Sequence, residues 1–277
     1  MSEKIHLKKL VEAGVHFGHQ RHRWSPQMKP YIWGHRNGVH LIDISKTAQA
    51  LEKASKFLEG IAADNKQILW VGTKKVAAKP LAALAQELGM PYVDYSWVGG
   101  MLTNYSQVKK SVTKLLHFED VLTKSEDSNY TKKELNHYNK VNERLNKSVG
   151  GIRKLQWPVG AVIIIDPKQE ATALREAVQS GIPVVALVDT NCDPTLVDYV
   201  IPGNDDATKS ISLILEILGD AVRKGKELAA KAKVEKKADA DKKKTDTKVE
   251  AKAESSNKVE EVEVIPGMAD LEIDEKD

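Results

Sequence analysis

Short runs of consecutive apolar residues alternate with longer stretches in which apolar residues recur every three or four positions. QILWVG (67–72), GAVIIID (160–166) and IPVVALVDT (182–190) are continuous and rich in Val, Ile and Leu, as strands covered on both faces are. VHLIDI (39–44), YVDY (92–95) and DYVIPG (198–203) are shorter strand candidates, VHLIDI being the first in the series. Helical spacing falls between them. HLKKLVEA (6–13) stops at Gly14, and a helix capped by Ser45 runs to about residue 63 with Ala48, Leu51, Ala54, Leu58 and Ile61 on one stripe. Further helices are expected from Thr73 to about Leu88, over QEATALREAVQSG (169–181), and over about 205–230. Strands separated by helices predict an α/β fold, a parallel sheet with helices on both faces.

Residues 105–149 break the alternation. Val108, Val112, Leu115 and Leu122 sit at helical spacing, as do Leu135, Tyr138, Val141, Leu145 and Val149, with polar TKSEDSNYT (123–131) between the two runs. The apolar stripe is thin and the remaining faces are charged, which predicts two antiparallel helices projecting as a coiled-coil hairpin. From residue 231 the chain is dominated by Lys, Glu, Asp and Ala, with no aromatic residue and no glycine before Gly267. Such a segment cannot bury enough apolar surface to offset its ordering entropy, so a disordered tail is expected. The predicted organisation is an α/β domain of residues 1–104 and 151–230, an inserted hairpin at 105–150, and a tail at 231–277.

The net charge of +3 conceals an asymmetry. Residues 231–277 hold 11 Lys against 14 acidic residues, leaving 31 basic and 25 acidic residues in the rest. Much of that excess lies in residues 1–40, with 7 basic against 2 acidic, which favours an anionic partner. Cys192 is the only cysteine, so neither an internal disulfide nor a thiolate zinc cluster is possible, as fits a reducing compartment. No apolar run resembles a signal peptide or spans a bilayer, so a cytoplasmic protein without a membrane partner is expected.

The charge is concentrated in AGVHFGHQRHRWSPQMKPYIWGHRNGVHLI (13–42), which has no Asp or Glu. Pro26, Pro30, Gly34 and Gly38 punctuate it, predicting loop with short extended pieces. Cations interleaved with Phe17, Trp24, Tyr31 and Trp33 suit a polyanion with exposed bases, since cations meet phosphates and rings stack on bases. The plainer alternative is an irregular edge that buries its rings and leaves its charges in water.

Ligands of open parallel sheets bind at the carboxyl ends of the strands. GTKK (72–75), WVGGMLTN (97–104) and DTNCDP (189–194) fall there. Lys74 and Lys75 stand at a helix N-terminus that favours anions, yet the spacing is not that of a Walker A loop, and no GxGxxG follows a strand. No GxSxG or HExxH occurs either. An enzyme acting on a small phosphorylated ligand near Gly72 and Asp189 is the alternative, lacking an acid/base pair. His16, His19 and His22 recur every three residues, but Gly14 and Gly18 argue against one helix presenting them. His19 with Asp189 and Asp205, both after strands, is a candidate zinc set of one imidazole and two carboxylates. No other cofactor is called for.

Several of these stretches together resemble a known family. AGVHFGHQ (13–20), WSPQMKPYI (24–32), RNGVHLID (36–43), VGTKK (71–75), WVGGMLTN (97–104), IIIDPKQE (163–170), VDTNCDP (188–194) and DYVIPGNDDA (198–207) are similar to bacterial small-subunit ribosomal protein two, over about residues 5–228. Ser96 stands where that pattern has arginine. The resemblance implies a flavodoxin-like sheet with a protruding helical hairpin and a non-catalytic role in translation. It also implies binding to small-subunit ribosomal RNA, and contact with neighbouring ribosomal proteins, including the large messenger-binding one. DNA is not expected as a partner. On the residue reading, Arg21, Arg23, Lys29 and Arg36 neutralise phosphates, and Trp24 or Tyr31 stacks on a base. Lys74, Lys75, Asn104, Lys109 and Lys110 extend the contact.

Overall fold

The apolar runs become the interior of a parallel sheet. The computed structural model describes residues 6–124 and 130–231. The chain begins with α1 (Leu7–Glu12), β1 (Phe17–Gln20), β2 (Ile32–Arg36), β3 (Val39–Ile42) and α2 (Ile44–Ala63). β4 (Gln67–Val71), α3 (Lys75–Glu87), β5 (Tyr92–Val93), α4 (Tyr105–Thr123) and α5 (Lys132–Val149) follow. Then come β6 (Val159–Ile165), α6 (Ala171–Gln179), β7 (Val184–Val188) and β8 (Tyr199–Pro202), and a last helix, α7, begins at residue 208. The residues up to Ala229 belong to one compact unit; of the second, Ala230–Asp277, only the first two residues are described, both helical. The expectation of a disordered tail therefore lies outside the described residues.

β5, β4, β6, β7 and β8 lie side by side in that order, every neighbouring pair parallel. Counted along the chain the order is 2-1-3-4-5, the flavodoxin-like arrangement. Side chains alternate between its faces. Ile68, Trp70, Ile163 and Ile165 pack with α2, α3 and α7, while Leu69, Val71, Val162 and Ile164 pack with α6 and the first turns of α4. Both faces are covered, which is why these strands read as unbroken apolar runs.

One strand is not where the alternation placed it. VHLI does not open the parallel sheet; β3 is the middle strand of a separate antiparallel sheet of order β1-β3-β2. Asn37 and Gly38, with φ of 51° and 76°, make a two-residue turn between the paired Arg36 and Val39. Asn-Gly is the dipeptide such hairpin turns favour, because both positions need positive φ. The short extended pieces expected in this segment are thus three paired strands, with 3-10 turns at Arg21–Arg23 and Pro26–Tyr31 between the first two. Two helix starts also shift. Asp43 caps α2, its Oδ1 accepting from Ser45 N at 3.0 Å, and α3 begins at Lys75 with Lys74 as its cap.

The hairpin forms as expected. Val108, Val112 and Leu115 of α4 and Val149 of α5 are buried at its root. No described residue of either helix further out is buried, so the pair stands out from the sheet. There Phe118 stacks on Tyr138 with ring centroids 5.4 Å apart. Thr131 and Glu134 close a capping box that starts α5, and Arg153 grips Glu119 with two hydrogen bonds of 2.6 and 3.0 Å. Among the described residues no helix is long and apolar enough to cross a membrane.

Candidate nucleic-acid interface and metal cluster

The antiparallel sheet carries the basic segment as a lip on the carboxyl edge of the parallel sheet. Ser25 N donates to Thr190 O at 2.7 Å, His19 N to Thr190 Oγ1 at 2.9 Å, and Asn204 Nδ2 to Gly14 O at 3.1 Å. These bonds tie the lip to the loops after β7 and β8. Gly18 makes the approach possible, since a Cβ there would lie 2.7 Å from Thr190 Cγ2. On this lip Arg21, Arg23, Lys29 and Arg36 are exposed, and among the described residues none has a carboxylate within 4 Å. Arg36 on β2 and Arg21, Arg23 and Lys29 on the 3-10 turns between β1 and β2 together offer unneutralised cations to phosphates.

The rings sort differently from the sequence expectation. Tyr31 packs against the core and Trp24 is half-buried, its ring 5.4 Å from that of buried His40. The open ring is Trp33, 76% exposed, followed by Phe17 at 50%. Trp33 is one of the segment's four aromatics, but only the pairing of β2 with β3 decides which way its side chain points. Asn-Gly at 37–38 sets the register of Arg36, His35 and Gly34 against Val39, His40 and Leu41, but the pairing shifts between Gly34 and Ile32, so Trp33 lies at an irregularity that the turn does not encode.

The other expected contacts lie on separate elements. Lys75 is exposed on the first turn of α3, and Lys109 and Lys110 are exposed on α4. Asn104 is the cap residue of α4 and accepts from Ser106 Oγ at 3.2 Å. Lys74 instead turns inward. Its ammonium lies 2.9 Å from Asp205 Oδ1, 2.5 Å from Asp206 Oδ1 and 3.8 Å from Asp166 Oδ2. Burial opposes its charge, but the hydrogen bonds it donates to Asp206 and Asp205 outweigh that and hold its pKa above the usual lysine value.

The metal candidates do converge. Suitable atoms of His19, Asp189 and Asp205, joined by Asp206, lie within 4.8 Å of one another. Asp189 and Asp205 are fully buried. One oxygen of each is occupied: Asp189 Oδ1 accepts from Thr190 Oγ1 at 3.1 Å, and Asp205 Oδ1 from Lys74. The other oxygen of each, and His19 Nδ1, is buried without a hydrogen-bond partner. His19 Nδ1 is 3.0 Å from Asp189 Oδ2 but not aligned for a hydrogen bond. Two carboxylates oriented by outer partners, each with an open oxygen beside an open imidazole nitrogen, suit a zinc ion. Burial and the charges of Asp189 and Asp166 push the Asp205 carboxyl up to about 7, and Asp189 raises the pKa of His19 despite the opposing effect of burial. A divalent cation would relieve this crowding of charge.

At the crevice between β4 and β6, Thr73 N donates to Glu170 Oε1 at 3.2 Å and Gln169 Nε2 to Thr73 Oγ1 at 2.8 Å. These bonds bridge the loops after β4 and β6, at the switch point of the flavodoxin-like sheet. Asp166, at the end of β6, caps the following turn by accepting from Lys168 N at 3.1 Å.

Comparison with known proteins places the chain in a family. The chain matches the model of the family described as "Ribosomal protein S2" over residues 10–225. It is 47% identical over 221 residues to "Small ribosomal subunit protein uS2" of Geotalea uraniireducens (strain Rf4), covering 80% of this chain and 86% of that one. A protein of the same name from Koribacter versatilis (strain Ellin345) is 45% identical over 231 residues, 83% of this chain and 77% of that one. A match of this extent shows that the chain belongs to the ribosomal protein S2 family, and its role is that of a structural ribosomal protein rather than an enzyme.

Proposed function

We propose that the chain binds small-subunit ribosomal RNA through the lip, in cytoplasmic ribosomes. Exposed Arg21, Arg23, Lys29 and Arg36, which among the described residues have no carboxylate partner, share the segment with exposed Trp33, and this supports the reading most directly. The cations neutralise backbone phosphates, and the indole offers a face to an unstacked base. Lys75, Lys109 and Lys110 extend the contact, and the hairpin of residues 105–150 acts as a separate insert. Substituting Arg21→Glu, Arg23→Glu and Lys29→Glu together should release the protein from small-subunit particles in fractionated lysate. Retention of the triple variant at normal level would overturn the reading. Each lip cation removed singly should lower the salt dependence of RNA binding by about one unit of slope.

The hairpin and its surroundings suit protein neighbours, among them the large messenger-binding ribosomal protein. Leu116 and Tyr130 remain 49% and 43% exposed on it, apolar surface that no described part of the chain covers. Deleting the hairpin should deplete the messenger-binding protein from particles that still contain this chain. Equal amounts of that protein with and without the hairpin would refute the docking role.

A further inference from the structure

A second surface joins the lip at the carboxyl ends of β6 and β7. There an open cleft of about 320 Å³ lies between the turn at Lys168, the first turns of α6 and the loop after β7. Its apolar side is Leu174 and Leu196, the latter 49% exposed. Its rim carries Lys168 and Arg175, both exposed, and among the described residues neither has a carboxylate within 4 Å. The acid in the lining, Asp193, is engaged through Oδ1 by Thr195 N at 3.0 Å and Thr195 Oγ1 at 2.8 Å.

We infer that this cleft receives a single unpaired nucleotide of the RNA that the lip binds, so the inference rests on the proposed function above. The lip and the cleft are continuous, because Ser25 belongs to both, between Arg23 and Lys29 in the chain and held to Thr190 O by its N–H. The volume is at the small end of ligand clefts, enough for one nucleoside and short of the groove that an amphipathic peptide helix needs. Two cations beside an apolar wall match a nucleotide's phosphate and the flat face of its base. The polar groups of the wall are already engaged: Asn191 Nδ2 with His19 Nε2 at 3.1 Å, and Ser25 Oγ with Gln27 Oε1 at 3.0 Å. With the Ser25 hydroxyl and the Asn191 amide engaged, the unpaired donors at the cleft are chiefly the rim cations, which suit a phosphate, so the cleft accepts an extruded nucleotide with little selection for its base.

Photocrosslinking in assembled subunits tests this. Full-length protein carries p-benzoylphenylalanine in place of Leu196 or, in a parallel strain, in place of Trp33. Small-subunit particles are irradiated and the adducts identified. The expected result is an adduct from position 196 on one ribosomal-RNA nucleotide outside a base pair. An adduct on a protein, on paired RNA, or none at all from position 196 overturns the cleft, while RNA adducts from position 33 would leave the lip reading intact. Loss of RNA adducts from both positions would remove both. Independently, Lys168→Ala with Arg175→Ala should lower the salt slope of binding to purified small-subunit ribosomal RNA by about one unit. An unchanged slope would count against the cleft but not against the lip.

Discussion

Lys74 Nζ approaches Asp205 Oδ1 to 2.9 Å and leaves Asp205 Oδ2 buried and unpartnered. The lysine neutralises one side of the carboxylate, while Asp205 Oδ2, His19 Nδ1 and Asp189 Oδ2 are all buried without a hydrogen-bond partner among the described residues, in a cluster whose ligand atoms lie within 4.8 Å of one another. Zinc bound there should therefore compete with protons rather than with Lys74. Asp205, with its pKa at about 7, and His19, raised by Asp189, both give up protons as pH rises. Calorimetric titration should show zinc affinity climbing from pH 5.5 to pH 8; a flat profile would contradict the cluster.

The same residue sets a sign for the metal-free protein. An acid whose folded pKa lies above its ordinary 3.8 binds more protons in the native state, so its contribution to stability falls as pH rises from about 4 to about 7. Zinc should accordingly raise Tm more at pH 8 than at pH 6. An equal rise at both pH values would show that Asp205 does not titrate as described.

Gly18→Ala tests how closely β1 must approach the loop after β7. The added methyl would meet Thr190 Cγ2 at 2.7 Å and Asp189 Oδ1 at 3.2 Å. Relief requires the strand to move, which weakens the bond from His19 N to Thr190 Oγ1. A cost of about 1–3 kcal/mol in denaturant unfolding is expected, together with weaker zinc binding. Unaltered stability and zinc affinity would mean that the lip tolerates displacement.

Glu176, 8% exposed on α6, organises the loop that leads into the hairpin. Its carboxylate accepts from Trp97 Nε1 at 3.0 Å, Gly100 N at 2.9 Å and Leu102 N at 3.1 Å. Burial raises its pKa, but these donors outweigh burial and hold it below the usual glutamate value. The group then stabilises the fold above the ordinary glutamate range and loses that contribution as pH falls through its own lowered pKa. Glu176→Gln supplies one carbonyl for several donors and should cost about 2–3 kcal/mol at neutral pH. Its unfolding free energy should also depend less on pH between 3 and 7 than that of the unsubstituted protein.

Trp33→Ala separates binding from folding. The ring is 76% exposed, so stability should change by no more than about 0.5 kcal/mol. RNA affinity should fall by about 1–3 kcal/mol if the indole stacks on a base. Filter binding at fixed salt reads this directly, and unchanged affinity would move the stacking role elsewhere.

Most of the architecture was legible from apolar spacing. Unbroken runs such as GAVIIID can lie only where both faces are covered, and the thin stripe through Val108, Val112 and Leu115 could bury only a hairpin root. The separate antiparallel sheet was not drawn from the spacing, although Asn37-Gly38 encoded its turn. Short strands at β1, β2 and β3 carry too few residues for alternation to distinguish sheet from loop. His19, Asp189 and Asp205 could be named as metal candidates, since only their residue types and strand-end positions were needed.

The sequence by itself determined the kinds of group present: cations without acids over residues 13–42, strands buried on two sides, and a single cysteine. Tertiary structure alone decided their company. Lys74 turns inward to Asp205 and Asp206 while Arg21, Arg23, Lys29 and Arg36 have no carboxylate partner among the described residues, and Trp33 rather than Tyr31 faces outward. The physical reason is that a charge or a ring acquires its role from neighbours brought from far along the chain, and strand register, which flips every side chain with a shift of one residue, decides which neighbours those are.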